Sequence, residues 1–371
     1  MTYIKVCIFS LSLFVSNLAK SQVSNTGLMD TVGGVKIGQL SIGGYIDAYF
    51  GGGPNVNNSM PYFVSSAQIN EFNINLAYID LRYSDHSFRA RFAPGMGTYM
   101  NANYQAEQGT LRNIVEASAG FRVFKNKEIW VDAGILGSPY TNESAVSKDH
   151  LMYTRSFAPE YVPYYLSGIK ITTPLSSKML FYTYILNGWQ QIHDNNSGKA
   201  LGTQLEYRPD NLNLINWNTY IGDESSSSAP DNRMRYFTDL YWVHNPDGVF
   251  SITSCVYAGN QKRKQGNELT NNYWWQANFI GRYSFNESLS LSGRVEYFSD
   301  ANNVQISAIN PNISGFSAFS GGLCLNVKIK KQALLRFDGR YFGAKDNLFI
   351  DKNNLPSKSA LWLVSNMTVW F

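Results

Sequence analysis

Cysteine is scarce in this chain. Its three residues, Cys7, Cys255 and Cys324, stand far apart in sequence, so they offer neither a disulfide framework nor metal-ligand spacing. Histidine is almost as rare: His86, His150, His193 and His244 fall singly in presumed turns and loops, which excludes a histidine metal cluster. There is no nucleophile elbow, no phosphate-cradling glycine loop and no zinc-ligand motif. No catalytic residue, metal or cofactor is therefore expected, and an enzyme is not the predicted class. Charge is low as well, at 16% of residues against about 25% for a soluble domain. Beyond residue 21 no apolar run approaches the roughly 20 residues of a transmembrane helix.

Aromatics are abundant, at 15% of residues. The chain also starts with an export pattern. Lys5 gives a short basic region, Val6 to Val15 is apolar, and Ala19 and Ser21 place small residues before Gln22. The predicted organisation is a cleaved signal peptide over 1–21, a short segment over 22–39 and a single body over 40–371. Cys7 lies inside the apolar stretch rather than after it, so a lipoprotein anchor is not expected. Without Lys5 and Lys20, 29 basic residues face 27 acids. That balance lacks the concentrated basic face that nucleic acid requires.

Period-2 alternation recurs from residue 40 to the end. Along 273–285, Tyr273, Trp275, Ala277, Phe279, Tyr283 and Phe285 share one face, while Gln276, Asn278, Arg282 and Ser284 share the other. Sixteen strands are predicted: 40–50, 70–82, 87–99, 111–124, 127–137, 164–174, 178–188, 199–208, 212–222, 234–244, 247–259, 272–285, 288–299, 314–328, 332–343 and 359–371. Strands in soluble sandwiches average about 5–6 residues, whereas a tilted membrane strand needs about 9–11. The lengths favour the membrane. Connections after even-numbered strands are tight, as at Asp85-His86 and Asn286-Glu287. Those after odd-numbered strands are long: 51–69, 100–110, 138–163, 189–198, 223–233, 260–271, 300–313 and 344–358. Short turns on one rim and long loops on the other mark outer-membrane barrels. The pattern is weakest over 70–82, where alternation slips, and over 178–188, which is apolar on both faces.

Aromatic placement agrees. Trp275 and Phe285 lie ten residues apart on one strand, which projects to about 25 Å along a tilted barrel, the height of the lipid-facing band. Tyr297 and Tyr341 would join the outer girdle, and Tyr207, Trp242 and Phe371 the inner one. The final strand sets Leu361, Leu363, Met367, Val369 and Phe371 on one face. It resembles the C-terminal signal recognised by the barrel-assembly machinery, an expected partner beside outer-membrane lipid.

Sixteen closed strands enclose a lumen too wide for their own side chains to fill, so water is expected inside. The longest loop, 138–163, follows the fifth strand and is expected to fold inward or else to cover the mouth. It carries Glu143, Lys148, Asp149, Arg155 and Glu160. The lumen face of the strands is expected to present Arg89, Arg91, Arg122, Lys170, Arg235, Arg282, Arg294, Arg336 and Arg340, with Glu116, Asp132, Glu206, Asp239, Glu296 and Asp338. The candidate pore-lining or constriction residues are Arg89, Arg91, Arg122, Lys170, Arg294, Arg336 and Arg340 with Glu143, Asp149, Arg155 and Glu160. Such a wall facing loop acids would set a transverse field that selects small polar solutes. Most of these residues could equally be ordinary polar groups facing water.

The pieces Gly137-Ser-Pro-Tyr-Thr-Asn-Glu-Ser144, Ser167-Gly-Ile-Lys170 and Asn187-Gly-Trp-Gln190 resemble a family of β-barrel porins described as OmpL-like. Asp194-Asn-Asn196 with Lys199 and the strand Leu201–Tyr207 fit the same family. In architecture the resemblance covers nearly the whole mature chain, and it implies a porin-type outer-membrane protein without naming a substrate. The expectation is an all-β, up-and-down antiparallel barrel of about sixteen strands in the outer membrane of a Gram-negative cell. It would pass small hydrophilic solutes or ions by diffusion through a water-filled pore narrowed by the inward loop. The alternative is a loop-occluded barrel that binds or adheres at the cell surface. Homo-oligomerisation is compatible with either.

Overall fold

The computed structural model describes residues 34–54 and 58–371. The expected signal peptide at 1–21, and the part of 22–39 before residue 34, lie outside the described residues. Sixteen antiparallel strands close on themselves: β1 (Leu40–Gly52), β2 (Phe72–Ser84), β3 (Phe88–Met96), β4 (Ile114–Phe124), β5 (Lys127–Gly137), β6 (Tyr165–Ser176), β7 (Met179–Leu186), β8 (Ala200–Tyr207), β9 (Asn213–Asp223), β10 (Asn232–His244), β11 (Phe250–Gln265), β12 (Glu268–Ser284), β13 (Leu289–Asp300), β14 (Phe316–Lys330), β15 (Ala333–Ala344) and β16 (Ser359–Trp370). Every strand read from the alternation is present. A short strand, Val35–Ile37, folds back on β1. Among the described residues no helix is long and apolar enough to cross a membrane.

Closure comes from β16 pairing with β1, with Trp370 opposite Tyr45 and Val369 opposite Ile46. This leaves no edge to hydrogen-bond with hydrocarbon, the condition for a sheet to live in lipid. Alternation then sorts the two faces. Val295, Leu323, Phe319, Phe279 and Tyr341 stand exposed on the outside, while Arg294, Cys324, Ser320, Asn278 and Arg340 on the same strands are buried inside. Of the expected girdle residues, Trp275, Phe285, Tyr297, Tyr341, Tyr207 and Phe371 are exposed, whereas Trp242 is half-buried, its indole donating to Asn213 Oδ1.

The weak stretches have physical causes. Between Asp47/Leu76 and Ala48/Ile74 the β1–β2 register shifts, so Asn75 is an extra, buried residue. One added residue reverses the facing of the residues beyond it, and this is the slip seen in the sequence. In β7 the apolar inward residues Tyr182, Tyr184 and Leu186 meet an apolar interior rather than water. A further difference concerns 260–271, expected to be a long loop. Strands β11 and β12 continue through it as paired arms, Lys264 opposite Leu269 and Gln265 opposite Glu268. Gly266 takes φ +62° at the turn, a conformation glycine adopts without steric cost.

The other long connections carry little regular structure. Helix α1 (Thr98–Asn103) and a 3-10 turn (Gly109–Asn113) follow β3, and helix α2 (Phe157–Glu160) lies in the connection from β5 to β6. At the foot of that connection Gly134 pairs with Gly168 across β5 and β6, at φ +131° and +153°. A Cβ at Gly134 would stand 2.2 Å from Ala117 O, and one at Gly168 would stand 2.0 Å from Ile185 O. Only glycine permits both the dihedral and the close strand approach.

Candidate functional site

Loop 138–163 enters the barrel and is held there by its backbone. The wall opposite β5 and β6 carries a tier of charged and polar side chains at mid-height, each aimed inward by the strand period. Thr141 N donates to Asp239 Oδ2 at 2.8 Å, and the amides of Tyr153 and Thr154 donate to Asp338 Oδ2 at 3.1 and 2.9 Å. Phe157 N donates to Glu296 Oε2 at 2.6 Å. Loop carbonyls face guanidinium groups: Arg336 Nη1 reaches Ser147 O, Arg294 Nη1 reaches Thr154 O and Arg340 Nη1 reaches Arg155 O, each at 2.6 Å. Ser147 completes the set through Tyr45 OH at 3.0 Å and Asp47 Oδ2 at 3.1 Å. Hydrogen bonds to ionised groups are the stronger kind, at about 1.5–3 kcal/mol each, and several acting together fix the path of the loop.

Above this tier, towards the long-loop rim, the interior is aromatic. Tyr49, Phe237, Tyr257, Trp274, Phe298, Phe316, Phe342 and Trp362 point inward and are buried. Loop residues pack onto them: Met60 and Phe63 from the β1–β2 connection, Phe157 from the inward loop, Trp189 after β7 and Phe349 after β15. Phe157 lies 5.2–5.8 Å from the rings of Phe63, Phe298, Phe316 and Phe342. The guanidinium of Arg340 sits 4.4 Å from the Phe342 ring centre and 4.5 Å from that of Phe63, joining the two tiers.

The predicted site residues divide between this frame and a second one. Arg294, Arg336 and Arg340 form the loop-gripping wall, all three withdrawn from solvent. Arg340 also pairs with Glu296. Arg89 and Arg91 take separate partners. Arg89 is bidentate on Asp132 and lies 4.5 Å from the Trp130 ring. Arg91 bridges Asp80 at 2.9 Å and Glu116 at 2.5 Å. Lys170 stands 3.6 Å from the same Asp132. Arg122 is half-buried beside the short turn, paired with Glu128 at 2.7 Å, away from the loop. Within the loop, Arg155 binds Glu160 at 2.7 Å and lies against the rings of Tyr99 and Tyr164. Asp149 pairs with Lys148 at 2.5 Å.

The loop acids therefore mostly do not answer the wall arginines. Glu143 alone approaches one, Arg294 at 3.9 Å. Its carboxylate accepts from Ser156 N at 2.9 Å, and burial pushes its pKa upward. His150, also buried, is pushed below the usual histidine range by burial and by Arg155, Arg336 and Arg294. Two of the wall arginines face an acid of their own stripe instead: Glu296 lies 3.4 Å from Arg294 and pairs with Arg340. Sequence reading missed Tyr45 and Asp47, although their inward positions on β1 follow from alternation once the strand's register is fixed. The aromatic tier left no comparable trace, because an inward Trp274 or Phe298 contradicts the polar lumen that the pattern implies.

Between the loop and the wall of β2–β5 a cavity of about 90 Å³ remains, bordered by Arg91, Glu116, Tyr99, Tyr104, Glu143 and Tyr164 among others. Among the described residues no group of three or more His, Cys, Asp or Glu could hold a metal ion. Cys255 and Cys324 are buried free thiols on inward strand positions.

A closed antiparallel barrel of sixteen strands, apolar outside and charged within, defines a porin-type protein integral to the outer membrane. Residues 39–371 match the family described as "Putative beta-barrel porin-2, OmpL-like", and the chain belongs to that family. Among solved structures it is similar to outer-membrane expressed OmpT of Vibrio cholerae, with a TM-score of 0.58 and 11% identity over 91% of this chain and 100% of that one. It is likewise similar to OmpF of Salmonella typhi, solved with daunomycin, with a TM-score of 0.59 and 11% identity over 90% and 97%. An anion-selective porin from Comamonas acidovorans matches at a TM-score of 0.56 and 8% identity over 90% and 99%. At these identities the likeness is one of fold. A comparison with curated proteins finds no match to this sequence.

Proposed function

We propose that this porin-type barrel is a passive conduit of small aperture, admitting only small hydrophilic solutes or ions. The observation that carries the reading is the docking of loop 138–163 by wall side chains onto loop backbone groups. We place the path beside the loop, along the wall bearing Arg89, Arg91, Glu116 and Lys170, where a small cavity is bordered by Arg91 and Glu116. Those residues, with Glu143, Asp149, Arg155 and Glu160 on the loop, would line the path, while Arg294, Arg336 and Arg340 would hold the loop that narrows it. Arg122 would stand near the periplasmic end. The final strand ending in Phe371 would be the element read by the assembly machinery. A trimer form is described for the OmpT of Vibrio cholerae, and a homo-oligomer is part of the proposal here. Chemistry is not: His86, His150, His193 and His244 stand on separate loops and strand ends.

Single-channel recording in a planar bilayer tests the reading. Small, stable steps are expected, with the sign of the reversal potential in a salt gradient giving the selectivity. Silence from correctly folded protein would favour the second reading, a loop-occluded barrel serving surface binding or adhesion. That reading draws its support from the aromatic tier that fills the outer half of the lumen.

A further inference from the structure

A groove of about 880 Å³ crosses the outward, apolar wall of the barrel from β8 to β12. The short side chains of Thr238, Ala258 and Ala277 form its floor, and the larger Trp217, Leu240 and Trp275 stand beside them. Trp217 Nε1 donates to Thr238 Oγ1 at 2.9 Å, which fixes that ring at the side of the groove. The groove starts near the short-turn rim at Tyr207 and ends near the long-loop rim at Trp275. Four strand spacings give it a length of about 19 Å. That suits one extended acyl chain, since a single leaflet has about 15 Å of hydrocarbon.

Beyond Trp275 the same wall turns polar and then basic. Outward positions on β11 continue from Ala258 through Asn260 to Lys262 and Lys264. Asn260 donates to Asn271 Oδ1 at 3.0 Å. Lys262 Nζ lies 5.6 Å from the ring centre of Tyr236, one outward position above the groove residue Thr238. Tyr236 and Tyr273 are exposed, and tyrosines on an outer wall mark headgroup depth. Lys264 is exposed and Lys262 half-exposed. Among the described residues neither lysine meets a carboxylate, whereas Lys199, just before β8, is paired with Asp194. No outward position of β10, β11 or β12 carries an acid. Two cations without a counter-ion, set at headgroup depth above an acyl-length groove, match an anionic lipid in both charge and position.

We infer that this face of β8 to β12 binds one phosphate-bearing anionic lipid of the leaflet at the long-loop rim, its phosphate on Lys262 and Lys264 and one acyl chain in the groove. The site lies on the outer wall, so it stands whether the lumen conducts or is closed.

Native mass spectrometry of the full-length protein, folded in detergent, tests it with dioleoylphosphatidic acid, zwitterionic dioleoylphosphatidylcholine and inorganic phosphate as probes. One retained phosphatidic acid per chain is expected, with much weaker retention of phosphatidylcholine and none of inorganic phosphate. Each basic residue near an anionic lipid surface is worth about a fivefold change in affinity. Lys262→Gln with Lys264→Gln should therefore weaken phosphatidic acid binding about twentyfold. Ala258→Trp, which fills the groove from its floor, should also weaken it, while the heat-modifiable gel shift of a folded barrel persists. Lys125→Gln with Lys127→Gln, which removes the same charge at the short-turn rim, should leave it unchanged. Equal retention of the two lipids, phosphate binding as tight as the lipid's, or unchanged affinity in either folded site variant would overturn the inference. So would an equal loss in the short-turn variant, because the attraction would then be general charge and not this face.

Discussion

The ring of Phe371 occupies the space that a side chain at Gly44 would need. A Cβ built on Gly44 would stand 2.2 Å from Phe371 Cζ, and the two residues exchange both backbone hydrogen bonds, at 2.9 and 3.0 Å. The last residue of the chain thus latches onto the first strand at the seam that closes the barrel. Gly44→Val should displace the ring and strain the seam, at the 1–3 kcal/mol typical of overpacking. A lower temperature for loss of the heat-modifiable folded band would report it. An unchanged melting profile would mean that the terminal ring contributes nothing to closure.

Arg340 holds Arg155 O of the inward loop, pairs with Glu296 and packs against Phe63, Phe157 and Phe342. Removing one partner of a buried ion pair costs about 3–5 kcal/mol. Arg340→Ala should therefore loosen the loop, enlarge single-channel steps and expose Lys148 and Arg155 to trypsin. If both the step size and the protease resistance stayed at wild-type values, this contact would not be what holds the loop.

Loop docking should respond to pH through two groups of opposite sign. His150 is pushed below its ordinary value in the docked loop, by burial and by Arg155 of its own loop, Arg336 of β15 and Arg294 of β13. Its contribution is present above about pH 6.5 and is lost as pH falls, by up to about 1.4 kcal/mol per unit. Glu143 is pushed upward by burial, with Glu296 adding to the shift and Arg294 opposing it. Its contribution is present below the ordinary carboxylate value and is lost as pH rises through the raised one. Conductance recorded across pH should show acid opening in Glu143→Gln and no acid opening in His150→Gln. Identical profiles for the two variants would refute the assignment.

Orientation is open to a direct check. Cysteines at Ser227, in the exposed connection from β9 to β10, and at Ser307 should react with an impermeant maleimide on intact cells, whereas His86→Cys and Glu287→Cys should not. The native Cys255 and Cys324 are buried and give no background. Labelling of the second pair alone would invert the barrel in the membrane.

The sequence by itself determined the barrel. A period of two along a pleated strand assigns each residue to lipid or lumen, and the lengths of Leu289–Asp300 or Ala333–Ala344 follow from the thickness they cross. Those constraints are local, so Arg336 and Val295 could be placed on their faces without knowing any neighbour. Only the tertiary structure decided what fills the lumen. That Arg336 meets Ser147 O, that Arg340 meets Arg155 O, and that Trp274 and Phe298 face a loop rather than water depends on bringing together residues far apart in sequence. Backbone carbonyls and amides, which the wall side chains hold, are the same at every position and leave no mark in a sequence.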